Sequence, residues 1–295
     1  MTEITVISGK GGTGKTSLAA ALATAGSDMV LCDGDVDAAD LHLVLQPEIR
    51  ESRIYESSWQ ASIDPEQCTN CGICSEYCRF DAIRIREDGV HHIDPYRCEG
   101  CRLCERICPS GAISSMRRKN NAWFVSDTRA GTMVHARMGP GEENSGKLVT
   151  LVRNKARELA GCQHSGYVLT DGPPGTGCPA IAALTGADRA LLVMEPSLTS
   201  LHDADRVIEL ARKLSIPVFA VINKHDIHPE TAGKIEKYLE NQSVPLIGKI
   251  PFSTQVIDAM VAGQTMVEYD PGSEIAASIR RIWEEISREE LPPGI

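Results

Sequence analysis

Ile4-Thr5-Val6-Ile7-Ser8-Gly9-Lys10-Gly11-Gly12-Thr13-Gly14-Lys15-Thr16 is the stretch on which the architecture turns. The apolar run predicts a short strand, the glycines a turn, and the Ala/Leu-rich segment from Thr16 to Ala25 a helix. Gly9 to Thr16 fits G-x-x-x-x-G-K-[ST], in the strand-to-helix setting that a phosphate-binding loop requires. Glycines let backbone N–H groups converge on phosphate at the helix N-terminus. Lys15 then places a cation on the β and γ oxygens, and the Thr16 hydroxyl suits Mg²⁺. Gly9, Lys10, Gly11, Gly12, Thr13, Gly14, Lys15, Thr16 and Ser17 are the candidate nucleotide-binding residues here. An ordinary glycine turn is the competing reading.

Outward from this unit, Met29-Val30-Leu31-Cys32 reads as a second strand that ends in Asp33-Gly34-Asp35-Val36-Asp37. Apolar runs at 166–170, 190–194, 217–222 and 244–250 alternate with helical patterns near 147–160, 199–214, 230–240 and 274–288. The expected fold class is α/β, a mainly parallel sheet flanked by helices. Of 295 residues, 42% are hydrophobic but only 4% aromatic, so the core must be built from Ala, Val, Ile and Leu. The net charge of −10, with no basic run, argues against a nucleic-acid partner. No apolar run approaches the roughly 20 residues of a membrane span. Met1-Thr2-Glu3-Ile4 leads straight into a strand without a signal-peptide pattern, so the expected location is cytoplasmic.

Eight of the 11 cysteines lie between Cys68 and Cys108. That density marks 61–117 as an inserted module, dividing the chain into 1–60, 61–117 and 118–295. The module repeats itself 30 residues apart, Cys68, Cys71, Cys74, Cys78 against Cys98, Cys101, Cys104, Cys108. Each run is C-x₂-C-x₂-C-x₃-C and resembles the two-cluster bacterial ferredoxins, in which the fourth cysteine ligates the other cluster. The resemblance implies two [4Fe–4S] clusters, one on Cys68, Cys71, Cys74 and Cys108, the other on Cys98, Cys101, Cys104 and Cys78. Zinc competes, but its sites use paired C-x₂-C pieces or His; disulfides suit an oxidising compartment. Arg79 stands where proline follows the fourth cysteine of such runs, as Pro109 does in the second. His91 and His92 read as surface histidines between the motifs, and Cys32, Cys162 and Cys178 as packing cysteines. Residues 118–146, with Trp123-Phe124-Val125 and Gly139-Pro140-Gly141-Glu142-Glu143, read as a return path to the sheet.

The second lysine inside the loop, Lys10, makes it similar to the P-loop of the MinD/ParA/Mrp and nitrogenase iron-protein superfamily. In that family the equivalent lysine reaches across a dimer to the partner's nucleotide. The resemblance covers 1–60 and 118–290. It implies that Asp35 positions or deprotonates the attacking water, whereas Asp33, Asp37 and Asp40 have the commoner use of capping the next helix. It further implies that Asp171, in Asp171-Gly172-Pro173-Pro174-Gly175-Thr176-Gly177, orients Mg²⁺ through water and that Gly175 offers its N–H to the γ-phosphate. Asn223 matches the family's base-contacting asparagine, with Pro251 in the loop that covers the base. ATP is the implied nucleotide; Asn223-Lys224-His225-Asp226 keeps GTP open. Cys178 is placed like the iron protein's shared-cluster cysteine, but Asn144 stands where its companion would be.

The combined expectation is an ATP-hydrolysing iron–sulfur protein, a homodimer or a heterodimer with a related ATPase, with Lys10, Lys15 and Asp35 catalytic. ATP turnover would gate electron transfer to a redox or metallocofactor-assembly partner. A cluster-assembly carrier is the alternative, and a positioning ATPase the weaker one. The last fits least because the C-terminal helix carries Glu284, Glu285, Glu289 and Glu290 and no lysine, unlike a basic membrane-binding helix.

Overall fold

The computed structural model describes residues 1–87, 89–139 and 145–288. Its first unit comprises Met1–Ser52, Phe124–Ala136 and Gly146–Ile295, its second Arg53–Trp123 and Arg137–Ser145. The chain opens β1 (Thr2–Ser8), α1 (Lys15–Ala25), β2 (Met29–Asp33), α2 (Leu41–Leu45), β3 (Glu48–Tyr55). The cysteine-rich stretch follows as β4 (Trp59–Ile63), α3 (Ile73–Glu76), β5 (Ile83–Ile85), β6 (His91–Ile93), α4 (Leu103–Ile107), β7 (Ile113–Arg117). Then come β8 (Asn121–Thr128), β9 (Gly131–Arg137), α5 (Ser145–Gln163), β10 (Tyr167–Pro174), α6 (Cys178–Leu184), β11 (Arg189–Met194), α7 (Leu198–Lys213). The order closes with β12 (Val218–Asn223), α8 (Pro229–Asn241), β13 (Leu246–Ile250), α9 (Gln255–Val261), α10 (Met266–Tyr269) and α11 (Glu274–Ser287).

Nine strands form one sheet in the order β13-β12-β11-β1-β10-β2-β9-β8-β3, and every adjacent pair from β13 to β9 is parallel. Side chains alternate across it. Ile4, Val6, Leu31, Leu169, Leu191, Val193, Phe219 and Val221 meet α1 and α11, while Ile7, Leu192, Met194, Ala220 and Ile222 meet α6, α7 and α8. Both faces are therefore covered. Because β1 lies between β10 and β11, the chain winds in both directions from it, and the carboxyl edge opens a crevice at that switch point. On the buried edge of α5, the Arg153 guanidinium is ion-paired with Glu3 and donates to the Thr185 carbonyl at 3.0 Å, which pins the helix to β1.

The expected return path through 118–146 is a correction: residues 121–128 and 131–137 are β8 and β9, strands of the large sheet itself. Their mixed polarity hid this, because a sheet margin needs only one apolar face. Pro140 to Asn144, and with them the comparison of Asn144 with a second shared-cluster cysteine, lie outside the described residues, as do Glu289 and Glu290. Among the described residues no helix is long and apolar enough to cross a membrane.

The second unit holds two small antiparallel pairs, β4 with β7 and β5 with β6. Its bounds are wider than the 61–117 suggested by cysteine density, because β4 begins at Trp59 and its pairing reaches Arg117. The Trp59 ring is sandwiched between the guanidiniums of Arg102 and Arg117, at 4.3 and 4.4 Å, which ties the start of α4 to this pair. Neither α3 nor α4 buries a residue.

Candidate functional site

A cleft of about 760 Å³ opens at the carboxyl edge of the large sheet, within the size range of nucleotide-holding pockets. Its floor is the loop after β1. Gly12 and Gly14 take φ of 81° and 86°, a left-handed conformation that glycine adopts without strain. Gly14 also has no room for a side chain, since a Cβ there would lie 2.3 Å from Asn223 Nδ2. Thr13, Lys15, Thr16, Ser17, Asp35, Asn223 and Pro251 all line the cleft.

Lys15 is almost fully buried and is held among carboxylates, with Nζ 2.7 Å from Asp171 and 3.4 Å from Asp35. Burial lowers its pKa, but Asp171 foremost, then Asp35 and Asp33, outweigh that and leave it raised. The carboxylates feel the crowding in turn. Burial first, then Asp171, pushes Asp33 well above the usual carboxylate range, and burial opposed by Lys15 leaves Asp35 raised as well. One ammonium cannot neutralise three carboxylates, and Asp171 Oδ2 is buried with no partner among the described residues. The donor set therefore fits an additional cation, carried in with a polyphosphate.

Asp33 accepts the N–H groups of Asp35 and Leu41, both at 3.2 Å, so it braces the loop and the start of α2. Asp40, expected to cap that helix, makes no side-chain cap bond; its backbone carbonyl accepts the Leu43 N–H at 3.0 Å. Gly175, expected to offer its N–H to the γ-phosphate, already has a partner. Its N–H donates to the Ser8 carbonyl at 2.8 Å, since β10 continues beside β1 as far as Pro174, and a γ-phosphate would have to displace that bond. Asn223, matched to base reading, holds the loop as well: Nδ2 donates to the Thr13 carbonyl at 2.8 Å and Oδ1 accepts the Lys224 N–H at 3.0 Å. It clamps the phosphate loop. Asp226 accepts the Phe252 N–H at 2.7 Å, so its carboxylate fixes the loop containing Pro251.

Lys10, read as reaching across a dimer or else as solvated, is engaged within its own chain. Its Nζ lies 2.6 Å from Glu195 and donates to Ser197 and Thr199 at 3.1 and 3.3 Å. Glu195 also meets Lys224 at 3.5 Å, whose Nζ donates to the Gly12 carbonyl at 3.0 Å. Burial would raise the Glu195 pKa, yet the two lysines, Lys10 chiefly, hold it below the ordinary value. Sequence reasoning missed Glu195, whose signal was position at the end of β11, and met Lys224 only within Asn223-Lys224-His225-Asp226. It also missed the apolar wall of Leu43, Ile257, Met260, Met266 and Ile279, because only the packing of α2 and α9–α11 brings them to the cleft.

In the second unit, Cys68, Cys71, Cys74 and Cys108 line one small cavity. Cys74, Cys78, Cys98, Cys101 and Cys104 line another. None of these cysteines is disulfide-bonded. Burial first, and then neighbouring sulfurs, raise Cys74 and push Cys104 up to about 11, so the thiols stand within electrostatic reach of one another. Among the described residues, no group of three or more His, Cys, Asp or Glu is gathered tightly enough for a single metal ion. His91, expected at the surface, is buried and lines the first cavity, because alternation along β6 turns it inward. Cys162 and Cys178, expected to be packed, are exposed because each lies off the buried stripe of its helix; Cys32 is buried in β2.

Residues 4–266 match the CobQ/CobB/MinD/ParA nucleotide binding domain family. An uncharacterised protein of Methanocaldococcus jannaschii is 30% identical over 291 residues, covering 96% of each chain. The septum site-determining protein MinD of Bacillus subtilis is 27% identical over 184 residues, 60% of this chain and 67% of that one. The MinD structure of Pyrococcus horikoshii, solved with Mg-ADP, shares the fold with a TM-score of 0.57 at 19% identity, covering 98% of this chain and 99% of that one.

Proposed function

The chain belongs to the CobQ/CobB/MinD/ParA family of P-loop ATPases, and from that premise we propose an ATP-hydrolysing iron–sulfur protein that works as a nucleotide-gated dimer. ATP turnover gates electron transfer to a redox or metallocofactor-assembly partner. One observation carries this reading: a nucleotide cleft and two thiol-lined cavities occur in the same chain, and the fourth cysteine of each run lies at the other run's cavity.

In the nucleotide cleft, Lys15 leaves Asp171 to meet the β and γ oxygens, and Asp35 holds the water that attacks the γ-phosphorus as ADP leaves. Thr16, and through water Asp171, would hold Mg²⁺, which would offset the charge that the carboxylates and phosphates share. Lys10 exchanges Glu195 for the nucleotide of a second subunit when two chains close. In the second unit, Cys68, Cys71, Cys74 and Cys108 hold one [4Fe–4S] cluster and Cys98, Cys101, Cys104 and Cys78 the other, supplying one-electron chemistry. Four thiolates around a single zinc ion lie roughly 3.8 Å apart, from Zn–S bonds of about 2.3 Å. A cubane spreads its ligands over four irons, and so agrees with thiols that share a cavity without a tight ion site. The carrier alternative draws support from the exposure of Cys71 and Cys101, which leaves the cluster rims within reach of an acceptor.

Anaerobically prepared protein should contain about eight iron and eight acid-labile sulfides per chain. Its cluster midpoint potentials should differ between ADP and a non-hydrolysable ATP analogue, or its ATPase rate between oxidised and reduced forms. Stoichiometric zinc would overturn the cluster reading; loaded protein with identical potentials and rates would overturn the gating. Cluster transfer to an apo-acceptor that outpaces electron transfer would favour the carrier.

A further inference from the structure

The two halves of the second unit repeat at an offset of 30 residues, so they can be compared position by position. Beyond the cysteines, that offset pairs Ile63 with Ile93, Ala61 with His91, and Gly100 with Asn70. The cavity of Cys68, Cys71, Cys74 and Cys108 is lined by Ile63, His91 and Asn70. The cavity of Cys98, Cys101, Cys104 and Cys78 is lined by Ile93, Ala61 and Gly100. The isoleucine is common to both, but Asn70 and His91 have no polar counterpart at the paired positions; the polar residues of the second cavity, Tyr77, Glu99 and Arg102, stand elsewhere, and Arg102 is ion-paired with Glu105. Nor can the second half easily acquire them, since a Cβ at Gly100 would lie 2.1 Å from the Trp59 carbonyl oxygen.

Asn70 Oδ1 accepts from Cys68 Sγ at 3.5 Å and lies 3.3 Å from His91 Nδ1. His91 is 6% exposed, and its Nε2 is buried with no partner among the described residues. A sulfur that binds metal is a thiolate and has no proton to give, so an amide oxygen beside it becomes repulsive. Turning the Asn70 amide replaces that oxygen with an NH₂ group, which has two hydrogens, one for Cys68 Sγ and one for His91 Nδ1. With Nδ1 accepting, the neutral ring carries its proton on Nε2, the atom that has no other partner. Both side chains thereby become donors toward the group that the thiols hold.

We propose that Asn70 and His91 are a hydrogen-bond donor pair serving the Cys68, Cys71, Cys74, Cys108 site alone, so that this site has the higher reduction potential of the two. The proposal rests on the cluster reading above. Donors to cluster sulfur stabilise the extra negative charge of the reduced form, and the other site lacks both of them. One electron from a low-potential one-electron donor protein settles at the Cys68 site, with no bond made or broken.

The test uses the full chain, loaded anaerobically, with iron and sulfide counted before a potentiometric titration followed by EPR. The native protein should show two midpoints. The double variant Asn70→Gly, His91→Ala, which copies the other half at these positions, should lower the upper midpoint by about tenfold in the reduction equilibrium, about 59 mV for one electron. His91→Gln in an otherwise native chain, which keeps an amide donor, should retain part of the separation. If the double variant fails to load, hyperfine coupling to solvent-exchangeable protons in the native protein decides: it should be stronger at the higher-potential cluster. A single shared midpoint, unchanged midpoints in a fully loaded variant, or equal couplings would overturn the assignment to Asn70 and His91. A native chain that takes up no iron would instead overturn the cluster reading itself.

Discussion

The nucleotide unit and the cysteine unit solve the problem of holding a ligand in opposite ways. The first builds its cleft on the edge of a sheet covered on both faces, and its charged groups are already paired with one another. Lys15 waits on Asp171 and Lys10 on Glu195, while Asn223 holds the Thr13 carbonyl, so ligand binding exchanges partners within a stable frame. The second has short strands, two helices of four and five residues that bury nothing, and an interior made of two thiol-lined cavities. In the proposed reading, the clusters held in those cavities would take the place of a core. A preorganised site survives loss of its ligand; a site whose ligand is its core does not.

The sharpest way to break this contrast is to withhold iron or to substitute Cys74→Ser, since Cys74 lines both cavities. Hydrogen exchange should show residues 59–117 losing protection down to the unfolded level while the strands of the large sheet keep theirs and ATP still binds. Protection of both units in metal-free protein would mean that the second unit folds on its own.

Lys15→Ala tests the other side. It abolishes nucleotide binding and leaves Asp171 and Asp35 buried without their cation, so chemical denaturation should show a loss of about 3–5 kcal/mol. Iron content should stay unchanged. A variant that loses its iron along with its stability would show that the two units are not independent in this sense.

Asn223→Ala sharpens the account of the cleft. Loss of the clamp on the Thr13 carbonyl should weaken nucleotide binding by about tenfold, roughly 1.4 kcal/mol, and by the same factor for ATP and GTP. A selective loss of ATP binding in parallel titrations would restore Asn223 to base reading.

The last test concerns pH, and its effect is negligible at neutrality. Burial first, and then His42, lowers the pKa of His135 from 6.5 to about 4. The unfolded chain therefore takes up a proton near 6.5 that the folded chain refuses. Stability of the nucleotide unit should be independent of this residue above that pH, and should fall between about 6.5 and about 4 by at most about 1.4 kcal/mol per pH unit. Equilibrium unfolding of native and His135→Gln proteins across that window measures it; identical slopes would remove His135 as the cause.

Much of the molecule is legible in the chain because the relevant physics is local. A glycine-rich G-x-x-x-x-G-K-[ST] turn between an apolar run and an Ala/Leu helix points to a phosphate loop, and parallel strands buried on both faces show as continuous apolar runs. The spacing of the cysteines likewise follows from how many residues a loop needs to present three sulfurs to one object. What the tertiary structure alone decided is which groups meet across long sequence distances. Lys10 and Glu195 are 185 residues apart, and nothing local to either names the other as its partner. That Asn223 also holds the Thr13 carbonyl, 210 residues away, is visible only once β12 is laid beside β11. Strands β8 and β9 look like a connection because half their residues are polar, and only their places in the sheet make them part of it. Hydrogen bonds and ion pairs are short-range and directional, so their partners are chosen by the packed geometry and not by the order of residues along the chain.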